Sequence, residues 1–421
     1  MPALKSKISD KLKNSKLAKN VTALLTLKGA DYILNFLMFP FMLRMIGPEK
    51  FGAIIFMQTV VQYFVIVTDY GFNMTAPRDI ARAEGNFEVG KIFMNVISAK
   101  IIMISVICVL SGIVIFFLPP SFEFDVLLFL AVMPLAFGNV AFPVWFFQGI
   151  QEMKYITISS VIARSLLLVL MLITVREPKD YLIAAILFSS MPVVSGILSF
   201  QIIIRKYKYV FVRPDFQGII KTIKDGWQIF LSTVAINLYT NTNILILGIF
   251  TNPTIVGYFG AASKLVDSIK GLMSAVTQAV YPHVSAKLKT SVSDTITFIR
   301  RFTKYYTGLF FIISSMLCIL ANPVITLLFG EDYNDSVILL RVLAFLPFII
   351  SFSQVYGMQV LLNFGKQSTF SKILIAAAVF DLVIVLPLGY FFKELGVAVT
   401  MVAVEVFVTL TTRHYAKKLG V

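Results

Sequence analysis

The chain has 421 residues, of which 58% are hydrophobic and 14% charged, with a formal charge of +15 and a mean hydropathy of +0.85. Soluble globular proteins carry about 25% charged residues, so the composition excludes a soluble enzyme or nucleic-acid-binding domain and implies a polytopic membrane protein. Two cysteines, Cys108 and Cys318, lie inside apolar runs, and with only two histidines, His283 and His414, no disulfide framework, metal site or cofactor is expected.

Residues 1–21 form a polar tail carrying Lys5, Lys7, Lys11, Lys13, Lys16 and Lys19. Apolar runs of about 20 residues then recur to the end, each long enough to cross a bilayer core of about 30 Å as a helix. The short alternating segments of a membrane β-barrel are absent. Twelve spans are predicted, at 22–43, 52–73, 92–118, 124–148, 155–175, 180–204, 226–249, 255–282, 302–322, 336–363, 368–392 and 395–413. The first holds Lys28 and Asp31 with no small-residue cleavage site after it, so it reads as a retained span, not a signal peptide.

A tight corner, Gly47-Pro48-Glu49-Lys50-Phe51-Gly52, joins the first two spans, and a polar exit begins at Pro77-Arg78-Asp79. Pro48, Gly52 and Pro77 are matched 205 residues later by Pro253, Gly257 and Pro282, with both spacings kept. Two same-sense halves with polar residues inside their spans are a transporter pattern. The expected layout is a basic tail (1–21), an N-terminal six-helix bundle (22–204), a cytoplasmic linker (205–225), a C-terminal six-helix bundle (226–413) and a short tail (414–421), the bundles being related by pseudo-two-fold symmetry.

Loops are short throughout, leaving no room for a catalytic domain. There is no Gly-rich phosphate loop, zinc spacing or Ser/His/Asp set, so an enzyme is not expected. The cluster Glu331-Asp332-Tyr333-Asn334-Asp335 reads as a solvated turn. Orientation follows from basic residues: the termini and every second loop carry 26 Lys and Arg, the opposite loops only Arg44, Lys50, Arg176, Lys179 and Lys393. Both termini are therefore expected in the cytoplasm.

Six cations fall inside spans: Lys28, Lys100, Arg164, Lys264, Lys270 and Arg341. Five acids join them: Asp31, Asp69, Asp267, Asp381 and Glu405. Each costs about 2.5–3.5 kcal/mol at a helix centre on insertion scales, so these side chains must face one another, water or a ligand. Lys28 and Asp31 share a helix face and suit a self-neutralising pair. Lys264, Asp267 and Lys270 repeat at three-residue steps, where one acid can neutralise only one lysine. Arg164 sits mid-span with no acid within a turn of sequence; its planar fork suits phosphate oxygens, with pairing to Asp381 or Glu405 the structural alternative. Lys100 either snorkels or faces a lumen, Asp69 caps its span or takes part in coupling, and Arg341 reads as a rim residue. Asp31, Asp69, Asp267, Asp381 and Glu405 are the candidates for ion coupling. Amides on the spans include Asn95, Asn139, Asn237, Asn241, Asn243, Gln354 and Gln359, with Asn237 and Asn241 candidates for contacting a polar cargo. Pro40, Pro134, Pro143, Pro192, Pro347 and Pro387 interrupt spans.

Several runs together resemble one family. They are Pro40-x-x-x-Arg44-x-Ile46-Gly47-Pro48-Glu49-x-Phe51-Gly52, Asp69-Tyr70-Gly71-Phe72-Asn73-x-Thr75 with Ile80-Ala81, and Trp145-Phe146-Phe147-Gln148-Gly149 followed by Met153-Lys154. Further on come Thr277-Gln278-Ala279-x-Tyr281-Pro282, Val355-Tyr356-Gly357-x-Gln359-Val360 and Phe370-Ser371-Lys372-Ile373-Leu374-Ile375-Ala376-Ala377. Over nearly its whole length the chain resembles the Wzx-type O-antigen flippases of the multidrug/oligosaccharidyl-lipid/polysaccharide exporter superfamily. That resemblance implies two six-helix bundles in a V around a central cavity, alternating access, and an undecaprenyl-diphosphate-linked oligosaccharide as cargo, moved between leaflets of a bacterial inner membrane. It implies no role for Arg44 or Gln148. Lys28, Lys100, Arg164, Lys264 and Lys270 are the expected diphosphate-side residues. Membrane lipids, a polysaccharide polymerase and a chain-length regulator are the expected partners; nucleic acid is not. A cation-coupled small-molecule exporter of the same superfamily is the first alternative, and a membrane polymerase or ligase the second.

Overall fold

The computed structural model describes the backbone of residues 16–117 and 124–421, and the side chains of those residues except 16–33, 35, 36, 232, 235, 236 and 238–240. Among the described residues there is no strand. The helices are α1 (Lys16–Asp69), α2 (Phe72–Arg82), α3 (Asn86–Phe117), α4 (Val126–Val132), α5 (Pro134–Ala141), α6 (Val144–Gly149), α7 (Lys154–Thr174), α8 (Tyr181–Ser189) and α9 (Met191–Lys206). They continue with α10 (Phe216–Phe250), α11 (Pro253–Leu288), α12 (Val292–Ile319), α13 (Ala321–Phe329), α14 (Ser336–Leu343), α15 (Leu346–Gln354), a π-helix (Val355–Leu362) and α16 (Gln367–Lys417). In lipid every backbone polar group needs an internal partner, which helices supply within one segment. Eight helical stretches are long and apolar enough to cross a membrane, by length and composition among the described residues.

The predicted spans fall on described helices: spans four, six and ten are each divided into shorter helices, and spans one and two, and eleven and twelve, follow one another across a sharp break. Spans one and two lie on α1, which breaks at Gly47 (φ 72°, ψ 170°). Proline at 48 restricts the residue before it, and glycine alone takes this left-handed angle without strain. Spans eleven and twelve lie on α16, broken at Lys393 (φ 48°), where the chain doubles back so that Phe380 stacks on Phe407 with ring centres 5.0 Å apart. Four of the six span prolines sit at helix starts: Pro134, Pro143, Pro192 and Pro347. Pro387 lies within α16 and Pro40 within α1.

The chain divides into two compact units: one holds the residues up to Met42 together with Val60–Leu231, the other Leu43–Thr59 together with Ser232–Val421. The first is centred on a fully buried aromatic group, Phe93, Trp145, Phe146 and Phe147. Here α5 crosses α9 closely, since a Cβ on Gly196 would lie 2.8 Å from the Ala141 carbonyl oxygen; small residues allow such approach between membrane helices. The expected linker 205–225 is ordered against α3. Asp215 caps α10 by accepting from Gln217 and Gly218 N–H, while its own N–H donates to Asn95 Oδ1 at 3.0 Å.

In the second unit the two copies of the sequence repeat meet. A Cβ on Gly52 would lie 2.8 Å from the Pro253 carbonyl carbon, and one on Gly257 would lie 2.8 Å from the Pro48 carbonyl carbon. Each glycine thus seats the backbone of the other copy's proline. The corner is held by two further contacts. Arg44 donates to the carbonyls of Thr326, Leu327 and Leu328, capping the C-terminus of α13, and Tyr333 Oη donates to Leu43 O at 3.2 Å. Burial, reinforced by Asp332, raises the Tyr333 hydroxyl above its ordinary range, so it remains a donor.

Candidate functional site

The charges of the predicted spans form separate groups within each unit. In the first, Lys100 of α3 is 1% exposed and its Nζ lies 2.8 Å from Asp69 Oδ1. Asn139 Oδ1 of α5 stands 3.5 Å from the same nitrogen. Asp69 is the last residue of α1, immediately before a left-handed break at Tyr70 (φ 42°) and Gly71 (φ 80°). That break turns the chain into α2 and keeps the carboxylate at the helix end, where it meets the long lysine stem from α3. Arg164 lies midway along α7 and is half-buried, with an interaction partner of its own.

In the second unit, Lys264, Asp267 and Lys270 follow one another along α11. Lys270 Nζ is 3.3 Å from Asp267 Oδ1. Lys264 is half-buried and also has an interaction partner. Asp381 of α16 is fully buried; its Oδ1 accepts from Asn243 Nδ2 at 3.3 Å, and its Oδ2 has no hydrogen-bond donor. Asn243 thus turns towards α16. Asn237 and Asn241 share another face of α10, linked by Asn241 Nδ2 donating to Asn237 Oδ1 at 2.9 Å. Asn237 Nδ2 in turn donates to Thr233 O at 2.8 Å, leaving the two amides as a polar strip one turn long. The side chains of Lys28 and Asp31 lie outside the described residues.

The motif residues do something different: they pack against one another. A Cβ on Gly149 would lie 2.7 Å from Ile80 Cβ, so the Trp-Phe-Phe-Gln-Gly run seats on the Ile-Ala pair of α2. Gln359, fully buried in the π-helix, donates through Nε2 to Thr277 O at 2.8 Å. Nearby, Tyr306 Oη donates to Met273 O at 3.2 Å and to Gln354 Oε1 at 2.8 Å. A Cβ on Gly357 would lie 2.5 Å from the Phe370 ring. Sequence reasoning named Asn139 among the span amides without placing it beside Lys100, and missed the π-helix and Tyr306. A buried glutamine two residues from a glycine was the available signal for an irregular helix there.

Chemically, the arrangement offers ammonium and guanidinium groups, and amide donors, on helices that the sequence reads as spans. Among the described residues no cluster of His, Cys, Asp and Glu could hold a metal ion.

Residues 17–287 match the family model described as "Polysaccharide biosynthesis protein". The chain is 35% identical to the "Putative O-antigen transporter" of Escherichia coli (strain K12) over 93% of its own length and 95% of the relative's. A protein of the same name from Shigella dysenteriae is 28% identical over 93% and 98%. Among solved structures, it is similar to the lipid II flippase MurJ in an inward closed conformation, with TM-score 0.72 and 14% identity over 93% of this chain and 87% of that one. It is also similar to an inward-facing multidrug resistance MATE family transporter of the MOP superfamily, with TM-score 0.69 and 15% identity over 93% and 95%. These structures show the fold, twelve helices in two bundles, and the named proteins are transporters and flippases, not enzymes.

Proposed function

The chain belongs to the polysaccharide biosynthesis protein family as a multi-pass bacterial membrane transporter, and from that premise we propose that it flips an undecaprenyl-diphosphate-linked O-antigen repeat unit from the cytoplasmic to the periplasmic leaflet of the inner membrane by alternating access. The observation that carries this reading is 35% identity to a relative named as an O-antigen transporter, in a chain whose predicted spans hold several cations. A diphosphate stripped of water is too costly to cross hydrocarbon alone, and guanidinium and ammonium donors compensate it with short charge-assisted bonds.

Arg164, Lys264 and Lys270 are the proposed diphosphate contacts, with Lys28 at the start of the chain. Lys100 joins them only when released from Asp69. Asn237 and Asn241 face sugar hydroxyls. Coupling to an ion, through Asp31, Asp69, Asp267, Asp381 or Glu405, would supply about 2.3 kcal/mol per charge per 100 mV; downstream polymerisation is the other source of directionality. Both termini lie in the cytoplasm, and a polysaccharide polymerase and a chain-length regulator are the proposed partners. A small-molecule exporter would favour a passage dominated by acids and aromatics over these lysines and Arg164.

The test is a deletion strain that loses surface polysaccharide, accumulates lipid-linked repeat unit on the inner leaflet and is rescued by this gene. Arg164→Ala should lower surface polysaccharide while the protein remains in the membrane. Normal polysaccharide in that variant removes Arg164 from the site, and lipid-linked unit accumulating on the outer leaflet instead points to a polymerase.

A further inference from the structure

The second unit carries a groove that the flippase reading does not use. It has a volume of about 530 Å³ and is lined by Cys318 of α12, Arg341 of α14, Phe345, Phe348 and Ile349, and Val402 of α16. The groove forms because the helix is broken: α14 ends at Leu343 and Pro347 restarts it as α15. The break frees the Phe348 N–H, which donates to Ser314 Oγ at 3.2 Å and draws the restarted helix onto α12.

Arg341 is the one charged residue lining this groove. It is exposed, and among the described residues it has no hydrogen bond, ion pair or ring partner. The charge asymmetry of the loops assigns the Arg341 end to the outer surface. An apolar groove lined by the stem of Arg341, whose guanidinium has no partner among the described residues, matches one acyl chain with an anionic head.

We propose that this groove is a binding site for an anionic phospholipid of the outer leaflet, its acyl chain against Phe345, Phe348 and Ile349 and its phosphate on Arg341. The site is independent of which cargo the protein moves. Burying the acyl chain gains nothing specific, because neighbouring lipids offer the same apolar surroundings. Selectivity therefore rests on the bidentate guanidinium–phosphate contact.

Cys318 in the groove and Cys108 on α3 make the test possible in the native sequence. The full chain is reconstituted in phosphatidylcholine with increasing phosphatidylglycerol, and alkylation of each cysteine by a neutral, membrane-permeant maleimide is followed by mass spectrometry. Phosphatidylglycerol is expected to slow Cys318 several-fold and leave Cys108 unchanged, and Arg341→Gln or Arg341→Ala to abolish the slowing. Equal protection of Cys318 by phosphatidylcholine overturns the proposal, as does phosphatidylglycerol protection that persists in both variants. Native mass spectrometry supplies a second readout: the wild-type chain should retain phosphatidylglycerol that the Arg341→Gln chain loses, and equal retention overturns the site.

Discussion

Replacing Gly257 by alanine tests the contact between the two repeat copies most directly. The new Cβ would stand 2.8 Å from the Pro48 carbonyl carbon, with the carbonyl oxygen closer still. Ordinary carbon contacts begin near 3.4 Å, so the backbones must separate by at least 0.6 Å. No side chain is available to rotate away, because both partners are main chain. Overpacking typically costs about 1–3 kcal/mol, and a backbone-on-backbone clash belongs at about 3. Gly52→Ala makes the reciprocal clash with Pro253 and should cost a similar amount. The two losses should not add. Once one alanine has parted the helices, the second enters space already opened, and contacting residues show coupling of about 0.5–3 kcal/mol. Gly112→Ala on α3, with nothing within 4 Å of its Cβ, is the control and should be neutral or stabilising by up to about 1 kcal/mol. The assay is thermal unfolding of the purified protein in detergent, followed by intrinsic fluorescence. A Gly257→Ala protein that unfolds at the wild-type temperature would refute the seat. Strict additivity in the double variant would show that the glycines do not share one contact.

The ion pair and the helix cap give two further expectations. Asp69→Asn leaves Lys100, the more deeply buried partner, with only Asn139 at 3.5 Å, and should destabilise by about 3–5 kcal/mol. Lys100→Met should cost less, because Asp69 keeps 22% exposure to water, and Lys100→Met with Asp69→Leu should recover much of the loss; the same unfolding assay showing the reverse order would contradict this account. Arg44→Ala should cost about 1 kcal/mol by uncapping the C-terminus of α13, and hydrogen exchange over Ala321–Phe329 should accelerate. Arg44→Lys should retain part of the protection, since one ammonium cannot span the three carbonyls that the guanidinium reaches.

Much of the fold is legible in the sequence because a bilayer leaves the backbone few options. An apolar run of span length becomes a helix, and Gly47-Pro48 can only be a corner. Pro134, Pro143, Pro192 and Pro347 fall where helices restart, since each lacks the N–H that a continuing helix would need. The join between spans eleven and twelve is legible at 393–394, but not its conformation: Lys393 takes a positive φ of 48°, and lysine carries no local signal for that. Partners are the least readable layer. Lys100 and Asp69 are separated by 31 residues, Lys100 and Asn139 by 39, and Asn243 and Asp381 by 138. Charge type and depth say that a partner is needed, and only the packing of α1, α3 and α5, or of α10 and α16, says which it is.

The motifs and the charges separate two kinds of constraint. Ile80 with Gly149, Thr277 with Gln359, and Gly357 with Phe370 are contacts in which each half of a pair would be spoiled by a change in the other. They place helices, which explains why such runs mark a family without naming a chemical role for Arg44 or Gln148. Arg164, Lys264, Lys270, Asn237 and Asn241 lie outside those runs. Each has an interaction partner of its own, so their substitution tests pairing as well as the proposed cargo contact. On the proposed cargo reading, specificity is expected to change with substitutions at these polar positions, while the seats formed by the motifs persist.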